Sequence, residues 1–176
     1  LIFHHRPDIK VVTFRGNVET RLKKLAAGNV DATLLAMAGL NRLGRADIVT
    51  SIIEPEVILP AVAQGAIGAT CRADDTSSQT YLAALNHKET VVRVTAERAL
   101  LRVLDGSCRT PIAALGEISS DGSLFLRGLA VRPDGSELLQ ATRRGSVDEA
   151  EALGREAGEE LKESASTDFF KFMEPN

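Results

Sequence analysis

The sequence predicts an incomplete α/β unit followed by a small α+β domain with a three-stranded antiparallel sheet and helices. Three observations carry this reading. Strand-like and helix-like segments alternate through residues 9 to 44, and Pro55 and Pro60 then frame a looser, extended stretch. Two hairpin signals, Asp121-Gly122 and Pro133-Asp134-Gly135, divide the apolar runs of the last third.

Taken in order, residues 9 to 14 (Ile-Lys-Val-Val-Thr-Phe) are β-branched and aromatic and read as a strand ending at Arg15-Gly16. Asn17 is placed to cap a helix whose Val18, Leu22 and Leu25 recur at helical spacing, with Gly28 at its end. Residues 31 to 36 read as a second short buried strand, followed by a small-residue helix from Ala36 to Leu43 that stops near Gly44. A domain crossing is expected over residues 54 to 65, leading into an apolar strand from Ala66 to Cys71. Two helices follow, at 77 to 86 and 89 to 104, the second with Val92, Ala96, Ala99, Leu100 and Val103 on one face. Asp105-Gly106 ends it. Strands are expected at 112 to 118, 124 to 131 and 137 to 143, then a helix from Val147 to Glu163 and a frayed tail after Ser164.

The 176 residues are 44% hydrophobic and 26% charged, which suits one large domain or two small ones. A net charge of −3, from 21 Lys and Arg against 24 Asp and Glu, gives no basic field for nucleic acid, so any anion site must be local. No stretch approaches the roughly 18 apolar residues of a membrane span. The chain starts at Leu1 and lacks signal-peptide features, so it reads as a fragment or processed product. Cys71 and Cys108 lie far apart in a chain too apolar to need disulfides, and both read as thiols of a soluble protein in a reducing compartment.

Two constellations carry chemistry. Arg15-Gly16-Asn17-Val18-Glu19-Thr20-Arg21 sits where a strand turns into a helix, so helix-start amides and two guanidiniums can form an anion site that Arg42 could join from a second loop. The same arginines could instead be solvated, or paired with Glu19 and Asp31. The second constellation is Asp105-Gly106-Ser107-Cys108-Arg109-Thr110-Pro111, between a helix and a strand. There Arg98, Arg102 or Arg109 could favour a nucleophilic thiolate at Cys108, although a lone cysteine is as readily a small buried hydrophobe. Cys71 reads as core. His4, His5 and His87 lack metal-ligand spacing with the cysteines; His87 reads as solvent-facing, and the acidic run at 148 to 163 as a solvated helix face.

Three segments together, Arg15 to Arg21, Leu59-Pro60-Ala61-Val62-Ala63-Gln64-Gly65-Ala66-Ile67-Gly68 and Asp105 to Pro111, resemble porphobilinogen deaminase (hydroxymethylbilane synthase), and their wording is similar to its plant-type members. Leu34 to Leu43, Ala84 to Thr90 and Ala96-Glu97-Arg98-Ala99 support the resemblance, which covers nearly the whole chain. It implies a three-domain transferase of tetrapyrrole (heme or chlorophyll) biosynthesis, active in the cytoplasm or a plastid, that polymerises porphobilinogen into hydroxymethylbilane with loss of ammonia. It also implies that residues 1 to 57 are part of domain 2, of the type II periplasmic-binding-protein kind. Residues 58 to 72 would then cross into domain 1, and 73 to 176 would be domain 3. By the same resemblance, Cys108 holds a dipyrromethane cofactor as a thioether, Arg15, Arg21 and Arg42 bind cofactor and substrate carboxylates, and Arg72 is a further substrate-binding member. The implied partners are porphobilinogen, the growing oligopyrrole and an N-terminal domain 1 segment that supplies the catalytic aspartate; nothing here matches that aspartate's motif, so the fragment is expected to be inactive alone. The competing reading is a periplasmic-binding-type module that holds a small carboxylate without chemistry.

Overall fold

A computed structural model of the chain describes residues 1–105 and 110–170. Its first half holds short helices joined by irregular chain: α1 (Ile2–His5), α2 (Val18–Ala26), α3 (Met37–Arg42), a 3-10 turn at Ala46–Ile48, and α4 (Thr76–Ala83). Local chemistry starts and stops α2 where the sequence indicates. The Asn17 side chain accepts the Thr20 amide at the start of α2, and Gly28 follows its end at φ 73°, a left-handed conformation that glycine takes without Cβ strain. Asp75 caps α4 by accepting the Ser78 amide.

The expected strands at 9 to 14, 31 to 36 and 66 to 71 do not form: the described residues contain one sheet, and none of these segments belongs to it. The reason is the lack of ladder partners. Parallel strands need neighbours on either side and cover on both faces, and a run of β-branched residues cannot satisfy its amides alone. Ile9, Val11, Val12 and Leu34 therefore stay exposed, and Ile67 is 93% exposed. Cys71, expected in the core as part of the third strand, is exposed for the same reason. The helix expected to run from 77 to 86 stops at Ala83.

The second half is organised around α5 (Lys88–Val103), β1 (Ile112–Ile118), β2 (Leu124–Val131), β3 (Leu138–Gly145), a 3-10 turn at Val147–Glu149, and α6 (Ala150–Ser164). The strands pair antiparallel in the order β1-β2-β3, with Ala114 opposite Gly128 and Gly128 opposite Ala141. Their hairpins turn at Gly122 (φ 81°) and Gly135 (φ 78°), as the Asp-Gly signals predict. His87 is exposed and caps α5 through its ring nitrogen, which accepts the Thr90 amide. Ser146 and Glu149 form a reciprocal capping box before α6.

Helices α5 and α6 lie side by side on one face of the sheet, where Ala96, Leu100, Leu153, Ala157 and Leu161 meet Ala114, Leu124, Leu126, Ala130 and Ala141. The period-2 alternation of β2 sends Leu129 and Val131 to the opposite face, where they join Ala113, Leu138 and two residues from the first half, Leu1 and Leu59. The chain after Ser164 is held and not frayed as far as Phe170. Phe169 is fully buried in the main core, and the Arg132 guanidinium lies 5.2 Å from its ring centroid while pairing with Glu137 and Asp168.

Candidate functional site

The turn into α2 has a defined geometry. Gly16 adopts φ 133°, and a Cβ there would fall 2.8 Å from the Thr20 methyl, so the position takes glycine only. Arg21 donates through Nε to the Gly16 carbonyl at 3.0 Å, and Lys24 donates through Nζ to the Arg15 carbonyl at 3.0 Å. Two cations of the helix thus grip the carbonyls of the turn before it. Among the described residues neither Glu19 nor Asp31 pairs with these arginines, and Arg15, Arg21 and Arg42 make no ion pair at all. Arg15 and Arg42 are exposed and Arg21 is half-buried. Arg42 is the last residue of α3. Arg72, also exposed, reaches only to 4.0 Å from Asp75.

Between α2 and α3 lies a cavity of about 560 Å³ lined by Leu22, Leu25, Leu35, Met37, Leu40 and Ile48 together with residues 31–34, 49–53 and 58. Its walls are largely aliphatic, and none of Arg15, Arg21, Arg42 or Arg72 lines it. Cys108, and with it the loop from Gly106 to Arg109, lies outside the described residues.

Sequence reasoning missed Glu97. This α5 residue is 5% exposed, and its two carboxylate oxygens accept amides from different segments, Ala63 at 2.7 Å and Gly116 at 2.9 Å. Burial holds its pKa above the ordinary carboxylate range, against the opposing pull of the two amides and Arg93. No local signal pointed to it: Glu97 follows Ala96 in sequence, but consecutive helical residues point about 100° apart, so the position lies off the apolar stripe of α5. Arg127 was missed too. It bridges Glu117 in β1 and Glu56 in the first half.

Fold and turn together define a chain of two kinds, a first half of short helices and irregular chain carrying guanidiniums at a helix start, and a helix-covered antiparallel sheet with its own core. Comparison with known proteins identifies both. A family model described as porphobilinogen deaminase, dipyromethane cofactor binding domain, matches residues 1–80, and one described as porphobilinogen deaminase, C-terminal domain, matches residues 91–163. The chain is 53% identical to a porphobilinogen deaminase of Paracoccus denitrificans over 94% of its length and 52% of that protein's. It is 49% identical to the chloroplastic porphobilinogen deaminase of Oryza sativa over 98% of its length and 49% of the relative's. A Pisum sativum chloroplastic homologue is also 49% identical, over 96% of this chain. The chain belongs to the porphobilinogen deaminase family, and it spans about half the length of the curated relatives it matches. No helix among the described residues is long and apolar enough to cross a membrane.

Proposed function

We propose that this chain is the C-terminal part of a hydroxymethylbilane synthase, the transferase that joins four porphobilinogen units with release of ammonia. The observation that carries the reading is the order of the two family matches on one chain, cofactor-binding domain first and C-terminal domain second. In this reading residues 1 to 57 belong to domain 2, 58 to 72 cross into domain 1, and 73 to 176 form domain 3. The partner is the N-terminal half that relatives possess, which supplies the remaining strands of the α/β piece and the catalytic aspartate.

Each pyrrole ring of the substrate carries an acetate and a propionate, so the growing oligopyrrole accumulates carboxylates. Arg15, Arg21 and Arg42 bind them, with Arg72 as a further member. Forked guanidiniums that make no ion pair among the described residues, as at Arg15 and Arg42, suit a group rich in carboxylates. Cys108 would hold the dipyrromethane as a thioether, and the bound group would supply the free pyrrole carbon for the first unit, each later unit joining the free end of the growing chain. Cys71 is exposed but lies outside the Gly-Ser-Cys-Arg-Thr segment that resembles the family's attachment loop.

The test joins the N-terminal half of the Paracoccus denitrificans relative ahead of Leu1 and measures the intact mass of the product with and without Cys108→Ser and Cys71→Ser. The expected result is a dipyrromethane adduct and hydroxymethylbilane formation in the parent and in Cys71→Ser. Cys108→Ser should be folded by circular dichroism, with neither adduct nor activity. An adduct surviving in Cys108→Ser would reassign the attachment site. A folded parent that binds porphobilinogen but carries no adduct would favour a small-carboxylate-binding module.

A further inference from the structure

We propose that Glu97 is a positioning residue that fastens the crossing segment, residues 59–64, to the C-terminal domain, so that this strap moves with the α5 and β1 pair and not with the α/β piece before it. The proposal stands on geometry independent of the assigned reaction. Leu59 is buried against Ala113 and Leu129, and Ala61 makes an isolated antiparallel bridge to Ala113 beside the edge of β1. Two residues on, Ala63 sits at φ 57°, a left-handed conformation that is strained for an L-residue. That conformation coincides with the 2.7 Å bond from the Ala63 amide to Glu97 Oε2. The second oxygen, Oε1, takes the Gly116 amide of β1.

One carboxylate therefore closes a ring through three elements: strap, helix and strand. A buried carboxylate is expensive to desolvate, and an apolar residue would fill the same volume at less cost. What an apolar residue cannot do is accept two amides at once. A glutamine cannot do it either, because its NH₂ would face one of the two N–H donors. Gly116 is matched to this arrangement, since a Cβ there would press to 3.2 Å from the Arg93 backbone, a contact tighter than α5 and β1 take without a small shift. Arg93 is also the charged group that faces Glu97, from one turn earlier on α5.

Two measurements on the full 176-residue chain test the assignment. In the unsubstituted protein, the amide protons of Ala63 and Gly116 should titrate by NMR together with the Glu97 carboxyl carbon, sharing one midpoint. In Glu97→Gln, hydrogen exchange over 61–66 should speed up about tenfold or more, while β2 and α6 amides stay within about twofold of the parent. Adding Ala63→Gly, which adopts the left-handed conformation without Cβ strain, should recover part of that protection. Amides that titrate apart from Glu97 overturn the proposal. So does an exchange increase spread evenly over β2 and α6, or none at 61–66. If Glu97→Gln does not fold, the titration of the parent decides alone.

Discussion

Arg15 and Arg21 stand on opposite sides of the Gly16 turn and differ in what they already do. Arg21 is half committed to the Gly16 carbonyl, whereas Arg15 makes no ion pair among the described residues. In the chimera with the relative's N-terminal half, Arg15→Leu should therefore weaken substrate or primer binding by about 1.5–3 kcal/mol, the typical worth of a charge-assisted bond, and leave the fold intact. Arg21→Leu should do the same and also loosen the turn. Lysine at either position should rescue only partly, since the forked geometry is lost. Steady-state kinetics with porphobilinogen, paired with thermal melting, separates the two effects; unchanged kinetics in both leucine variants would remove these residues from the anion site. A second residue-scale prediction concerns pH. The hydrogen bond and charge of Arg132 hold the Asp168 carboxyl below its ordinary pKa. Its contribution to holding the tail is therefore present above the unfolded value of about 3.9 and is lost as pH falls through the lower folded value. The Phe169 ring resonances should shift towards random-coil positions in that acid window, and Asp168→Asn should show the shifted environment at neutral pH.

At the scale of elements, the contact between α5 and α6 depends on glycine. A Cβ on Gly154 would lie 2.1 Å from the Ala96 carbonyl oxygen and one on Gly158 2.8 Å from Val103, so the two helices approach closely only because these positions carry no side chain. Gly154→Ala should cost about 1–3 kcal/mol in urea unfolding, the usual penalty for overpacking a well-fitted contact against backbone. Gly39 is the control. It lies inside α3 with an ordinary φ and no neighbour within 4 Å of its would-be Cβ, so Gly39→Ala should be neutral or stabilise by up to about 1 kcal/mol through helix propensity. If both substitutions cost the same, the close approach of α5 and α6 is not what sets the effect. The helix starts tell a parallel story: Asn17 was readable because a cap is a local hydrogen bond between residues two or three apart, while the caps at Asp75 and Ser146, equally local, were found only in the structure.

For the molecule as a whole, the two halves differ in how well they satisfy themselves. The α5–β1–β2–β3–α6 unit closes its own core, while the first half leaves Leu34, Ile52 and Ile53 exposed along an aliphatic cavity and Leu43 exposed beyond it. Exposed apolar surface of this kind favours association. Sedimentation of residues 1–176 alone should show concentration-dependent self-association, reduced when the N-terminal half of the relative is supplied as a fused chain, and the 176-residue chain alone should give no steady formation of hydroxymethylbilane. A monodisperse monomer with sustained turnover would contradict both the partner and the domain assignment.

What could be read from residues alone were the features governed by neighbours in sequence: the three strands and two glycine turns of the sheet, the long helices, the Asn17 cap, and the family to which three short segments point. Each rests on spacing of two to four residues or on a run of identical chemistry. The expected strands at 9 to 14, 31 to 36 and 66 to 71 went wrong because β-propensity states only that a segment can pair, while pairing needs a second strand that the described residues do not provide. The exposed Cys71 followed from the same error. Tertiary structure alone decided that Glu97 turns inward to take two amides 34 and 19 residues away, and that Phe169 returns to the core beside Arg132. Those contacts join segments distant in the chain, and they exist only because the packing of α5 and α6 on the sheet brings them within hydrogen-bonding reach.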